Sequence, residues 1–104
     1  MQRIIAPSML SADFGHLDRD TRMIDKSAAQ WVHIDVMDGV FVPNISFGFP
    51  VLKFIRQATT KPLDVHLMIV EPERYVKRFA EVGSDIVTFH YEATNAAHRC
   101  IDEI

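Results

Sequence analysis

The stretch His33-Ile34-Asp35-Val36-Met37-Asp38-Gly39 decides the fold, and Asp64-Val65-His66-Leu67-Met68 repeats its pattern further along the chain. Side chains of an extended strand alternate between its two faces, so His33, Asp35 and Met37 project to one side and Ile34 and Val36 to the other. The second run sorts the same way, with His66 and Met68 on one face and Val65, Leu67 and Ile69 opposite. Neighbouring strands carrying these runs bring two imidazoles and a carboxylate toward one spot. That is three of the four ligands a tetrahedral divalent ion takes.

Two further runs, Arg3–Leu10 and Ile86–Tyr91, are also β-like, which with Trp31–Met37 and Leu63–Ile69 predicts four strands separated by helical stretches. Phe14, Leu17, Thr21, Ile24 and Ala28 form an apolar helical stripe behind Asp13, a good N-cap residue. Val51, Phe54, Ile55 and Ala58 form a second stripe behind Ser46 and Pro50, closed by Lys61-Pro62. In a third, Pro72 suits the first turn, Tyr75, Val76, Phe79 and Ala80 make the buried stripe, and Gly83 suits a left-handed C-terminal cap. A fourth helix begins near Asn95 and runs through Cys100 and Ile101.

Strands joined by helical crossovers are parallel, which leaves an open doubly wound sheet or part of a (β/α)8 barrel. Strands covered on both faces read as nearly continuous apolar runs. Here one face instead carries Ser8, His33, Asp35, Asp64, His66, Thr88, His90 and Glu92 toward or beyond the C-terminal ends. Polar groups gathered there mark a barrel mouth.

With 104 residues, 48% of them hydrophobic, the chain has material for one domain with a sizeable core. The formal charge is -3 and the basic residues are scattered singly, so neither nucleic acid nor an anionic membrane is expected as a partner. The first ten residues lack a signal-peptide pattern, and no apolar run approaches the roughly 20 residues that span a bilayer. The expectation is a soluble, cytoplasmic protein. The single cysteine, Cys100, has no internal disulfide partner and reads as a half-buried, inert thiol in a helix.

A lone strand histidine is usually a hydrogen-bonded core or surface residue. Three strands each carrying one at the corresponding end, with Asp35 two residues from His33, shift the reading toward a metal site. His90 is the weakest member, readable as a donor that orients the other ligands or as packing without chemistry. Asp35 in a confined mouth beside a cation is also equipped to act as a general base. Asp38-Gly39 is first a turn signal. Met37 and Met68 would ordinarily be core filler, yet both follow the polar face outward, where thioethers could wall off an intermediate from water. Segment 40–48 is apolar for a surface connection and is expected to cover a site or meet a partner. No Gly-rich phosphate loop is present.

Taken together, the segments Ala6 to Phe14, His33 to Gly39, Phe41 to Asn44, Asp64 to Met68 and Thr88 to Ala93 closely resemble the ribulose-phosphate 3-epimerase family. The resemblance covers the whole chain in order and implies a (β/α)8 TIM barrel about twice this length, of which residues 1–104 look like the N-terminal half, a single incomplete domain of four βα units. It implies interconversion of D-ribulose 5-phosphate and D-xylulose 5-phosphate with one divalent metal ion, Zn2+ or Fe2+ ahead of Mn2+ or Co2+. His33, Asp35 and His66 would be ligands, joined by an aspartate of the seventh strand. The ion would polarise the ketone and stabilise the ene-diolate formed when the C3 proton leaves, worth several kcal/mol in general.

By the same resemblance Asp35 would be the acid on one face of C3 and the seventh-strand aspartate the acid on the other. Ser8 and His66 would contact substrate, and Met37 and Met68 would cushion the planar intermediate. The second acid, the fourth ligand, a third methionine and the phosphate-gripping loops would lie beyond Ile104. The expected partners are a small phosphosugar, a C-terminal half or another chain that completes the barrel, and further copies in a homo-oligomer. Rival expectations are a ketohexose-6-phosphate 3-epimerase and a noncatalytic half-barrel assembly module. Decarboxylases and aldolases of related barrels tend to carry Asp-x-Lys where this chain has Asp35-Val36-Met37.

Overall fold

The computed structural model describes residues 3–104. Three parallel strands, β1 (Val32–Met37), β2 (Leu63–Met68) and β3 (Ile86–Phe89), form one sheet in the order β1-β2-β3. Helices α1 (Leu17–Lys26), α2 (Phe49–Ala58), α3 (Val76–Glu81) and α4 (Ala97–Glu103) alternate with them, which is the pattern of part of a TIM barrel.

The alternation read from the sequence is the alternation of burial. Val32, Ile34 and Val36 of β1 and Leu63, Val65 and Leu67 of β2 are buried, while His33, Asp35, Met37, Asp64, His66 and Met68 are half-buried on the other face. The apolar face joins Ile24 of α1, Leu52 and Ile55 of α2, and Val76 and Phe79 of α3 in one core. Fully burying an aliphatic or aromatic side chain contributes about 1.5–3 kcal/mol, so this face fixes which way each strand is turned.

Arg3–Leu10 is not a regular strand, contrary to expectation. It lies along β1 with one isolated parallel bridge, Ser8 to His33, and its carbonyls accept from β1 and the residue before it: Ile5 from Trp31 N (3.2 Å), Pro7 from His33 N (2.9 Å). Pro7 has no N–H to return, and Ser8 caps the 3-10 turn Met9–Ser11 by accepting from Leu10 N, so regular pairing cannot propagate. The last strand stops at Phe89, because the chain turns at once into the 3-10 segment Tyr91–Ala93.

The three helical stripes also differ from expectation: in α1 Thr21 and Ile24 are buried, but Phe14 stands exposed in the preceding 3-10 turn and Ala28 is exposed beyond the C-cap Ser27. In α2 the buried residues are Leu52, Ile55 and Ala58, and Phe54 is exposed. The third helical region divides at Tyr75 into a 3-10 turn (Pro72–Arg74) and α3, burying Val76 and Phe79 while Ala80 faces out. Asp13 caps Phe14–His16, the short 3-10 turn that leads into α1, by accepting from Gly15 N at 2.9 Å. Gly83 has φ +110°, and a Cβ there would collide with the Arg56 side chain. Cys100 is fully buried rather than half-buried; burial first, then the Glu73 carboxylate, raises its thiol pKa and keeps it inert.

Asp38 ties the C-terminal ends of β1 and β2 together. Its Oδ1 accepts from Val40 N and Phe41 N, both 2.9 Å, forming the expected turn with Gly39 at φ +78°. Its Oδ2 accepts from Val70 N, also 2.9 Å, just past β2. Partial burial by itself would raise the Asp38 pKa, but the amide donors of Val70, Phe41 and Val40 favour the carboxylate and the net shift is downward. A depressed carboxyl pKa stabilises the fold above the unfolded-state value and loses that contribution as pH falls through the folded value. D38A is therefore expected to lower stability by about 1–3 kcal/mol near neutral pH. Denaturant titrations should show its gap to the parent protein shrinking below about pH 3.9, the ordinary aspartate value.

Candidate active site

The parallel register places His33 opposite Asp64, Asp35 opposite His66 and Met37 opposite Met68, and carries His66 on to Thr88 of β3. Register partners in a parallel pair share a face, so the polar residues of three strands form a ladder on the side away from the helices. Asp35 is its hub. Oδ1 lies 2.9 Å from His33 Nε2 and 3.3 Å from His66 Nδ1, and Oδ2 accepts from the Ser8 hydroxyl at 3.1 Å. The Asp35 carbonyl accepts from Ser46 Oγ (2.7 Å), which in turn accepts from Met37 N (3.0 Å), so the loop after β1 folds back onto the strand end.

His33, Asp35 and His66 each offer one donor atom, all within 4.8 Å of one another. Two imidazoles and one carboxylate make a donor set that suits zinc, ferrous iron and similar divalent ions, so the residues present fit a metal. His33 is held from behind as well, with Nδ1 2.8 Å from Asp64 Oδ2. This carboxylate–imidazole arrangement orients the ring and leaves Nε2 facing the cluster. Burial opposes protonation of His33, but hydrogen bonds to Asp64 and then Asp35 outweigh it and raise its pKa above 6.5.

The methionines stand where the alternation puts them, Met37 and Met68 side by side at the outer end of the ladder, half-buried. His90 lies beyond β3, its Nε2 2.7 Å from His66 Nε2 and its ring 4.9 Å from that of Phe41. Segment 40–48 thus covers one side of the ladder through Phe41, while Val40 and Ile45 stay exposed. Thr88 is on the ladder face but exposed, and Glu92, 3.5 Å from His90 Nδ1, stands at the rim. An apolar cavity of about 370 Å³ lies at the C-terminal end of β1, lined by Val36, Met37, Asp38, Phe47, Phe49 and Phe79 among others; it reaches Met37 of the ladder but none of His33, Asp35, His66 or Ser8.

Sequence reasoning placed Asp64 on the polar face but gave it no partner or role there, and took Ser46 only as the lead into the second helix. Asp64 sits two residues before His66 on the same face, and pairing the two strands in register is the step that sets it behind His33.

A family model described as ribulose-phosphate 3 epimerase matches residues 4–104. The chain belongs to the ribulose-phosphate 3-epimerase family. It is 52% identical over 95 residues to the ribulose-phosphate 3-epimerase of Synechocystis sp., an overlap of 91% of this chain and 41% of that protein. To the ribulose-phosphate 3-epimerase of Treponema pallidum it is 52% identical over 100 residues, 96% of this chain and 46% of that protein. The chloroplastic ribulose-5-phosphate-3-epimerase of Arabidopsis thaliana is 47% identical over 103 residues, 97% of this chain and 37% of that protein. The chain spans less than half the length of these relatives. Among the described residues, no helix is long and apolar enough to cross a membrane.

Removing the carboxylate behind His33 tests the ladder directly. In metal-free D64N, an NMR titration of the His33 ring should give a pKa below that of the unmodified chain, because burial is then opposed by Asp35 alone. An unchanged value would mean that Asp64 does not hold this imidazole.

Proposed function

We propose that this chain carries one face of a ribulose-phosphate 3-epimerase active site, in which Asp35 moves the C3 proton of D-ribulose 5-phosphate and His33, Asp35 and His66 hold a divalent cation. The observation that carries the proposal is the convergence of these three side chains on one face of adjacent parallel strands, in a ladder that runs out to the strands' C-terminal ends at Met37 and Met68, in a chain of this family. Barrel enzymes place their chemistry at that end. When bound, the cation would withdraw electron density from the substrate's ketone and lower the cost of removing the neighbouring proton.

The chain's own residues would do the rest. His33, braced by Asp64, and His66 would fix the position of the Asp35 carboxylate, and the Ser8 hydroxyl, 3.1 Å from Asp35 Oδ2, would reach both that carboxylate and a substrate oxygen. A carboxylate so confined can take a proton from one face of C3 and return it to the same face. Met37 and Met68 would cover the planar ene-diolate with surface that neither donates nor accepts protons strongly, which limits stray protonation by water. Inversion needs a second acid on the opposite face, and the family resemblance assigns it to an aspartate outside this sequence. Residues 1–104 would then be a single incomplete domain, the N-terminal half of the barrel, soluble in the cytoplasm and working with the remainder of the barrel in a homo-oligomer.

The test follows deuterium from solvent into C3 of D-ribulose 5-phosphate by NMR, with Zn2+ or Fe2+ supplied. The chain by itself is expected to exchange this proton from one face with little or no D-xylulose 5-phosphate, and D35N to reduce exchange by about 100-fold or more. Normal epimerisation by this chain alone would contradict the assignment of the second acid, and undiminished exchange in D35N would contradict the role of Asp35. Running a ketohexose 6-phosphate in parallel separates the five-carbon substrate from its six-carbon rival.

A further inference from the structure

From the hydrogen bond joining the Nε2 atoms of His66 and His90, we infer that His90 is a positioning residue, which sets the ring and tautomer of His66 so that a bare Nδ1 faces the cation beside Asp35. The inference rests on the metal-centre assignment above and adds to it a residue outside the cluster of three.

The two nitrogens of His66 point in different directions. Nδ1 lies 3.3 Å from Asp35 Oδ1, and Nε2 lies 2.7 Å from His90 Nε2. A neutral imidazole carries one N–H, so one of its nitrogens donates and the other accepts. Two Nε2 atoms at 2.7 Å share a single proton. If Nδ1 is to bind a cation it must be bare, so the proton belongs on His66 Nε2 and is donated to His90 Nε2. His90 then keeps its own proton on Nδ1, which faces Glu92 Oε1 at 3.5 Å.

His90 is placed for this role by packing. Its ring lies between those of Phe41 and His66, with centroids 4.9 Å from each. It is outside the group of donors that converge within 4.8 Å, so it acts through His66 and not on the cation. The arrangement mirrors the other histidine of the cluster, where Asp64 holds His33 Nδ1. Both imidazoles therefore have the nitrogen away from the cluster tied, and such outer partners commonly change metal affinity by 10–100-fold when removed.

Two variants separate the hydrogen bond from the packing. H90F keeps an aromatic ring beside Phe41 but cannot accept from His66, whereas the H90Q amide oxygen can. Zn2+ binding to the full chain would be measured by calorimetry, and 15N NMR of the imidazoles would report which His66 nitrogen is protonated. The expected result is that H90F weakens Zn2+ binding by about 10–100-fold and H90Q restores most of the loss. In the Zn2+-loaded unmodified chain, His66 should be protonated at Nε2 and bare at Nδ1.

Equal affinity in H90F and the unmodified chain would overturn this inference alone, as would an equal loss in both variants. No Zn2+ uptake by the unmodified chain would overturn the metal-centre assignment and this inference with it. Should H90F fail to fold, the 15N spectrum of the unmodified loaded chain still decides, since a protonated Nδ1 on His66 is incompatible with the proposed role.

Discussion

The parallel register that sets Asp35 opposite His66 is the constraint on which the rest depends. A slip of one residue between β1 and β2 would break the match of every polar and apolar pair, because side chains alternate strictly along a strand. The buried row Val32, Ile34, Val36 and its counterpart Leu63, Val65, Leu67 hold the register in place, since each must stay on the helix-covered side. The core thus positions the site without touching it.

The same geometry forces charged and polar groups together on a half-buried surface. Burying such groups without partners is costly. The chain meets the cost by making the groups partners of one another, from Asp64 through His33 to Asp35, and from Asp35 to Ser8, His66 and then His90. Among the described residues the one buried side-chain polar atom without a partner is Ser84 Oγ, remote from this ladder in the turn before β3. The polar network therefore serves the fold and the chemistry at once. Asp38 and Ser46 extend it to the loop after β1, so the covering segment is anchored by hydrogen bonds to both strand ends.

What could be read in the sequence was what local rules determine. Alternation at His33–Met37 and Asp64–Met68 sorts two faces whatever surrounds them, and Asp13, Asp38-Gly39 and Gly83 each signal a cap or turn through their own backbone chemistry. Arg3–Leu10 misled because its apolar content is that of a strand, while Pro7 withholds the donor and Ser8 starts a 3-10 turn. Phe54 misled because the phase of a short helix is set by its neighbours, and one step moves Leu52 inward and Phe54 out. The partners of His33 and His66 were harder to see for another reason. Asp64 acquires its role through strand pairing, and His90 lies past the end of β3, where its direction depends on the packing of Phe41.

Metal uptake by the His33, Asp35 and His66 cluster is the most direct measure of the central claim. Titrating the chain with Co2+ and following the visible ligand-field absorption should show saturation at one ion per chain, with the bands lost when His33, Asp35 or His66 is replaced by alanine. Bands that survive all three substitutions, or no uptake at all, would contradict the account.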